Sequence, residues 1–404
     1  MRGVRCAAVL ASLDRRQRRG CLMPALLTLN SGSSSIKFAV YLQKEEQLHE
    51  VASGQVDALG PKASLIFKES GVRHQTEIGK ADHLLGLKAI LEALKPVLGG
   101  EYIAGVGHRI VHGGTLYAEP ILLTGAVLRA LDDLSPLAPL HQPPNLAGVK
   151  AAMQAFPEAI QVGCFDTGFH RGHPYENDTY ALPPKFYEDG IRRYGFHGLS
   201  YEYVSSYVQQ HYPDLKDGRI IIAHLGNGCS MCCVRGFRPI ASTLGFSSMD
   251  GLPMGTRCGQ IDPGVIFHLL DKGMSADEVD ALLLKNAGLK GMSGLSNDMR
   301  QLLASDSSDA ANAVSYFVSR IRREIGSLTA ANGGLDALVF TGGIGENAWQ
   351  IRERVCADLD YFGLAVDPAA NRENQESIGI GRTKVLVINT DEQRVIADAL
   401  VSFL

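Results

Sequence analysis

Apolar and polar positions organise the chain into a repeated device. Residues 26–29 form an apolar run, residues 30–35 read Asn-Ser-Gly-Ser-Ser-Ser, and Ile36, Phe38, Val40 and Leu42 then recur at every second position. A period of two predicts a returning strand, so the segment reads as a β-hairpin with a hydroxyl-rich tip. The same design recurs at residues 219–224 (RIIIAH), followed by Leu225-Gly226-Asn227-Gly228 and a second strand over 230–234. Two such hairpins predict a duplicated domain. A further apolar run, 335–340 (LDALVF), leads into Thr341-Gly342-Gly343-Ile344-Gly345-Glu346-Asn347 and then a helical stretch from 348 to about 359, which predicts strand, loop, helix. Strands are also expected over 159–165, ending at Asp166, and over 384–388.

Length and composition narrow the class. A chain of 404 residues suggests two or three domains with cores of their own. With 45% hydrophobic and 20% charged residues it is ordinary globular material rather than a disordered polar chain. The 39 basic and 43 acidic residues leave a net charge of −4, so no broad basic field recruits nucleic acid, and no apolar run approaches the ~18 residues of a membrane span. The balance is uneven: residues 1–22 carry six arginines against one acid, Asp14. That segment lacks the order of an export signal and reads as a disordered leader or an over-extended start. Eight cysteines in a chain of this length are not a disulfide framework, and Cys229, Cys232 and Cys233 have no second Cys-x-x-Cys or histidine partner in sequence. They read as packing in a strand, and a reducing cytoplasmic setting is expected.

Glycine makes up 44 of the 404 positions, above the usual ~7%, and it clusters after apolar strands. Glycines and small hydroxyl residues let backbone N–H groups approach an anion, as in phosphate cradles. Neither hairpin is a P-loop, since Gly-Lys-Ser/Thr is absent. Residues 343–348 match the dinucleotide pattern Gly-x-Gly-x-x-Ala, but no acidic strand end follows about 20 residues on, as that fingerprint requires. A helix N-terminus facing a nucleotide phosphate or ribose accounts for the run equally well. Polar clusters lie between these loops: Arg109 among the glycines of 107–114, Asp166 at a strand end, His197 between Gly195 and Gly198, and Arg257 after Gly255. Two arginines, a histidine donor, a carboxylate and several anion cradles are the parts of a phosphoryl-transfer site, where positioning and charge stabilisation supply most of the rate.

Asn30-Ser31-Gly32-Ser33-Ser34-Ser35-Ile36-Lys37, residues 107–114, Phe165-Asp166-Thr167, residues 194–198, 224–228, Gly255-Thr256-Arg257 and 342–347 together resemble the acetate kinase family, in order, from Met23 to the end. The resemblance implies two duplicated ribonuclease-H-like α/β domains of the acetate and sugar kinase, Hsp70 and actin superfamily, with an interdomain nucleotide cleft. Domain I, for acyl substrate and phosphate loop, would cover 23–165 plus 393–404; domain II, for the nucleotide, would cover 166–392. The family's reaction is reversible transfer of the ATP γ-phosphate to acetate, giving acetyl phosphate and ADP by direct in-line displacement. Carried over by position, Arg109 holds the substrate carboxylate beside an apolar pocket of Val111, Leu140 and Phe196. Asp166, His197 and Arg257 are catalytic. Lys37, His224, Leu225, Gly226, Asn227, Gly228, Asp298, Met299, Arg300, Gly343, Ile344, Gly345, Glu346 and Asn347 surround ATP or ADP. Asn30 and Glu392 place Mg²⁺ or Mn²⁺. The family forms homodimers.

A carboxylate substrate is already ionised at neutral pH, so no proton need be removed before attack, and Asp166 is expected to orient Arg109 or the metal shell. The chain departs from the family pattern at Ser248, where proline is usual, at Cys258 and Gln260, where Ser and Asp are common, and at Asp391, where Asn is common. Propionate is the runner-up substrate, because one methylene in an apolar pocket changes binding by only about 1–3 kcal/mol. An actin- or Hsp70-like ATP-driven switch is the alternative from another class; it would leave the Arg109 and Arg257 motifs without a use.

Overall fold

The first predicted hairpin is present as β1 (Ala25–Ser31) and β2 (Ile36–Lys44), antiparallel from Ala25 opposite Leu42 to Ser31 opposite Ile36. The computed structural model describes residues 24–32, 34–44, 47–69 and 71–404; the leader expected at 1–22 lies outside them. Alternation in β2 is weaker in burial than in sequence, since every residue from Phe38 to Leu42 is buried and only Lys37 in the first half is exposed. The reason is that both faces of the sheet are covered. On one face Leu27, Leu29, Phe38 and Val40 pack with Leu87, Ile90 and Leu94 of the helix His83–Leu98. On the other, the helix Glu392–Val401 lies so close that a Cβ at Gly107 would meet Ile396 at 2.4 Å.

β1 continues a sheet of eight strands. β3 (Gln47–Asp57), β4 (Gly60–Glu69) and β5 (Val72–Ala81) extend the antiparallel side, and β6 (Ile103–Ile110), β7 (Ile121–Leu122) and β8 (Ile160–Phe165) complete the other. The order is β5-β4-β3-β2-β1-β6-β8-β7, with β1, β6 and β8 mutually parallel along their contacts. Sequence reasoning did not anticipate β3 to β5. β5 is exposed at eight of its ten positions, so it carries no apolar period to read.

The second hairpin is β9 (Arg219–Leu225) and β10 (Cys229–Arg235), followed by β11 (Arg238–Ser242), β12 (Ala337–Thr341) and β13 (Lys384–Val387). Their order is β11-β10-β9-β12-β13, with β9, β12 and β13 parallel. It repeats the arrangement β3-β2-β1-β6-β8: an antiparallel meander whose first strand takes one parallel neighbour, which takes another in turn. This is the duplication that the two hairpins predict. Cys229, Cys232 and Cys233 are buried in β10, and the six cysteines among the described residues are free thiols.

One expected loop is instead helical. The glycine run after β12 forms the helix Gly342–Asn347 directly, before a second helix, Trp349–Cys356. Its geometry is held from outside. Glu346 Oε1 accepts from the backbone N–H of Gly342 at 2.9 Å and of Thr390 at 3.1 Å. The fully buried Arg352 donates to the carbonyls of Gly345 and Glu346 at 2.8 and 3.0 Å, satisfying helix-end acceptors that glycine-rich sequence could not order alone.

Chain contacts divide the protein into two units, residues 1–165 with 393–404, and residues 166–392. Among the described residues no helix is long and apolar enough to cross a membrane.

A buried histidine makes the stability of the first unit sensitive to acid. His108 on β6 is buried, its Nε2 hydrogen-bonded to Gln161 Oε1 at 2.7 Å, and burial lowers its pKa to about 4. Because the unfolded chain protonates it near 6.5 while the native state keeps it neutral, stability falls as pH drops below 6.5 and levels off near 4. Between about pH 6.5 and pH 5 this one group contributes a loss of about 2 kcal/mol. Urea unfolding at the two pH values checks this; His108→Asn should shrink the difference by that amount, and an unchanged difference would refute the assignment.

Candidate functional site

The second unit begins at Asp166, which is fully buried and whose carbonyl accepts from the N–H of Gly198 at 2.9 Å. That bond ties Asp166 to the start of the helix Gly198–His211, whose N-cap is His197. His197 has φ 60° and ψ 26°, the left-handed region, which costs a residue with a Cβ about 1–2 kcal/mol. Its ring is fixed by a 2.8 Å hydrogen bond between Nδ1 and Ser230 Oγ on β10 and by stacking on His224 at 4.4 Å. His224 in turn bonds Ser200 Oγ through Nδ1 at 2.8 Å.

The turn joining β9 to β10 is the meeting point. A Cβ built on Gly228 would lie 3.1 Å from Arg257 Nη2 and 3.2 Å from His197 Nε2, so both cationic or donor groups face this backbone position. Arg257 is aimed there by Nη1, which donates to the Ser248 carbonyl at 2.7 Å. Because the carbonyl is the acceptor, the proline usual at 248 in the family could make the same bond. Gln260, another departure, accepts from Arg320. Gly226 and Asn227, on the other limb of the turn, border a cavity of about 950 Å³. Its wall also includes Asp298, Met299, Arg300, Gly343, Ile344 and Asn347 from the predicted set. Arg300 and Asp298 form a fork-to-fork pair at 3.1 and 2.6 Å, and these bonds hold the Asp298 carboxyl below its ordinary pKa.

Other predicted nucleotide residues sit elsewhere. Leu225 is buried in β9, Gly345 is buried inside its helix, and Glu346 staples the glycine helix as described. Lys37 is an exposed β2 residue of the first unit. Sequence reasoning missed Asn297, Leu303, Ala304, Ala348, Trp349 and Gln350, which complete the cavity. Trp349, the chain's single tryptophan, was the one legible signal: a large aromatic face directly after a glycine helix.

In the first unit, Arg109 lies near the carboxyl end of β6 and donates from Nη1 to Asn30 Oδ1 on neighbouring β1 at 3.1 Å. The chain then turns through Val111, whose N–H is bound by Asn145 Oδ1 at 2.9 Å, while Asn145 Nδ2 donates to the Ser31 carbonyl. Gln142 bridges both backbone groups of His112. These amides rigidify the segment that carries Arg109 and the buried Val111. Leu140 is half-buried just before the helix Gln142–Ala155 in the same unit, whereas Phe196 is buried in the second unit. Asn30 belongs to the first unit and Glu392 ends the second, at the head of its helix. An amide oxygen and a carboxylate are hard donors of the kind Mg²⁺ accepts, and Asn30 Oδ1 keeps a second lone pair beyond its bond from Arg109.

The sequence model of the acetokinase family matches residues 25–398. An acetate kinase of Methylocella silvestris is 46% identical over 387 residues, covering 92% of this chain and 96% of the relative. Among solved structures, a propionate kinase from Francisella tularensis superposes with TM-score 0.88 at 33% identity, covering 94% of this chain and all of the other. The acetate kinase of Porphyromonas gingivalis superposes with TM-score 0.84 at 36% identity, covering 94% and 99%.

Proposed function

This chain belongs to the acetokinase family, and on that premise we propose that it is a phosphotransferase with a carboxyl acceptor, moving the γ-phosphoryl of ATP reversibly to acetate. One observation carries the reading: the turn 226–228 borders the 950 Å³ cavity at one end and faces His197 and Arg257 at the other. A nucleotide seated in the cavity would run its phosphates along that turn toward the two donors.

Arg109 presents a planar fork that suits a carboxylate, and its bond to Asn30 limits how far it can swing. An acetate oxygen attacks the γ-phosphorus in line, the bond to the β–γ bridging oxygen breaks, and ADP leaves with that electron pair. Charge spreads over the three equatorial oxygens of the transferring group, where Arg257 and the Nε2 side of His197 stabilise it. Mg²⁺, or Mn²⁺, would neutralise phosphate charge, and the Asn30 amide oxygen of the first unit and the Glu392 carboxylate of the second are each hard donors suited to it. Asp166, with no proton to remove from acetate, acts as a positioning carboxylate. The free thiols support a reducing, cytoplasmic setting, and the active form is taken to be a homodimer.

Trapping acyl phosphate with hydroxylamine, with ATP and Mg²⁺ across formate, acetate, propionate and butyrate, tests the proposal. Product peaking at acetate supports it; a peak at propionate transfers the reading to the substrate named for the Francisella structure. No acyl phosphate from folded, ATP-binding protein overturns it. Nucleotide binding has its own reporter. Trp349 lines the cavity, so ATP should produce a saturable change in intrinsic fluorescence. Binding seen by calorimetry without any fluorescence change would place the nucleotide away from Trp349.

A further inference from the structure

Three ring nitrogens of two histidines in the second unit are buried without a hydrogen-bond partner, and both histidines lie beside one thiol. His170 belongs to the 3₁₀ turn Phe169–Gly172, and His173 is the residue that closes it. In such a turn residues three apart eclipse one another, which puts both imidazoles on one side, ring centroids 5.2 Å apart. Cys232, from the middle of β10, completes the group: one ligand atom from each of His170, His173 and Cys232 lies within 4.8 Å of the other two. Neither the sequence spacing nor the family resemblance connects these residues.

The hydrogen-bond pattern around them is that of a ligand set. His170 Nε2–H donates to the Phe196 carbonyl at 2.9 Å, which leaves Nδ1 as an unprotonated lone pair. That Nδ1 is buried with no partner, on a side chain of zero exposure. A metal-bound histidine characteristically donates its other ring N–H to a backbone carbonyl or carboxylate in this way. His173 has both ring nitrogens buried and unpartnered. The Cys232 sulfur makes only a long contact, 3.6 Å, to the Cys233 carbonyl. Buried polar atoms are ordinarily satisfied, so several orphans around one point call for an occupant. Asp178 lies 3.6 Å from both Arg171 and Arg192, offsetting the arginine charge beside the histidines.

We propose that His170 Nδ1, one nitrogen of His173 and Cys232 Sγ form a Zn²⁺ site. Thiolate with two imidazoles is a borderline-soft donor set that suits zinc and not Mg²⁺ or Ca²⁺. Bond lengths of about 2.0–2.3 Å require the three atoms to close by roughly 1 Å, within the reach of side-chain rotation. The fourth position is taken by water, admitted on the half-buried His173 side. Binding releases the Cys232 thiol proton to solvent. The ion braces the turn before His197, because His170 holds the Phe196 carbonyl and its ring packs where a Cβ on Gly195 would lie at 2.5 Å. It is independent of the phosphoryl-transfer reading.

The test uses the full chain, stripped with chelator and titrated with Zn²⁺ against a chromophoric competitor, then with Co²⁺ as a spectroscopic substitute. One ion per chain, a thiolate-to-cobalt charge-transfer band, and loss of both in His173→Asn and Cys232→Ser are expected. The half-buried His173 variant decides the matter if the core variant fails to fold. Absence of stoichiometric binding by the folded wild type, or binding and spectrum unchanged in His173→Asn, overturns the site and leaves two packed histidines beside a core cysteine.

Discussion

Arg257→Ala is expected to lower kcat by about 10³-fold while ATP still shifts Trp349 fluorescence at nearly the wild-type concentration. The guanidinium faces Gly228, and its Nη1 donates to the Ser248 carbonyl. Its charge is worth most when the phosphoryl group is between oxygens, and groups that stabilise that state are worth about 10²- to 10⁵-fold in comparable chemistry. Loss in kcat with KM for ATP little changed is the signature of an interaction made in the transition state. Arg257→Lys keeps the charge without the fork and should recover only part of the loss. Steady-state kinetics with acetate and ATP varied separately makes the measurement; a kcat within a few-fold of wild type would remove Arg257 from the mechanism.

Arg109→Ala should act on the other substrate. A charge-assisted pair with a carboxylate contributes about 1.5–3 kcal/mol, so KM for acetate should rise about 10- to 100-fold, with KM for ATP held within about twofold. Asn30→Ala, which removes the acceptor 3.1 Å from Arg109 Nη1, should raise KM for acetate by a smaller factor. Equal weakening of acetate and ATP by Arg109→Ala would argue against a carboxylate clamp. The two variants therefore separate substrate holding from transition-state stabilisation.

Much of the fold was legible because its signals are local. The Asn30 to Lys37 turn and the Gly226 to Gly228 turn each stand between apolar strands, and their likeness announced two copies of one sheet design. β5 was not legible because it is exposed almost throughout, whereas β4 buries Ala63, Leu65 and Phe67 at alternate positions, a short period with no glycine-rich turn beside it to draw the eye. The glycine run at 342–347 was misjudged as a loop because glycine disfavours helix on its own. Its helical form depends on Arg352, Glu346 and Thr390, and the last of these is 44 residues from Glu346. Candidate site residues were visible as arginines and histidines among glycines, whereas the rest of the cavity wall, Leu303 and Ala304 included, has no distinguishing chemistry in sequence.

By itself the sequence determined the two glycine-tipped hairpins and the strands before Asp166 and Thr341, the duplication, the ordered motifs and the class of chemistry. Each of these is written within a few residues, in period and residue type. The tertiary structure alone decided which distant groups come together: His197 and Arg257 over Gly228, Trp349 on one cavity wall with Gly226 and Asn227, and His170 and His173 beside Cys232. Those meetings follow from β9 pairing with both β10 and β12, and from the helices that return to cover them. Contacts of that kind depend on strand order and packing across the sheet, which local spacing does not encode.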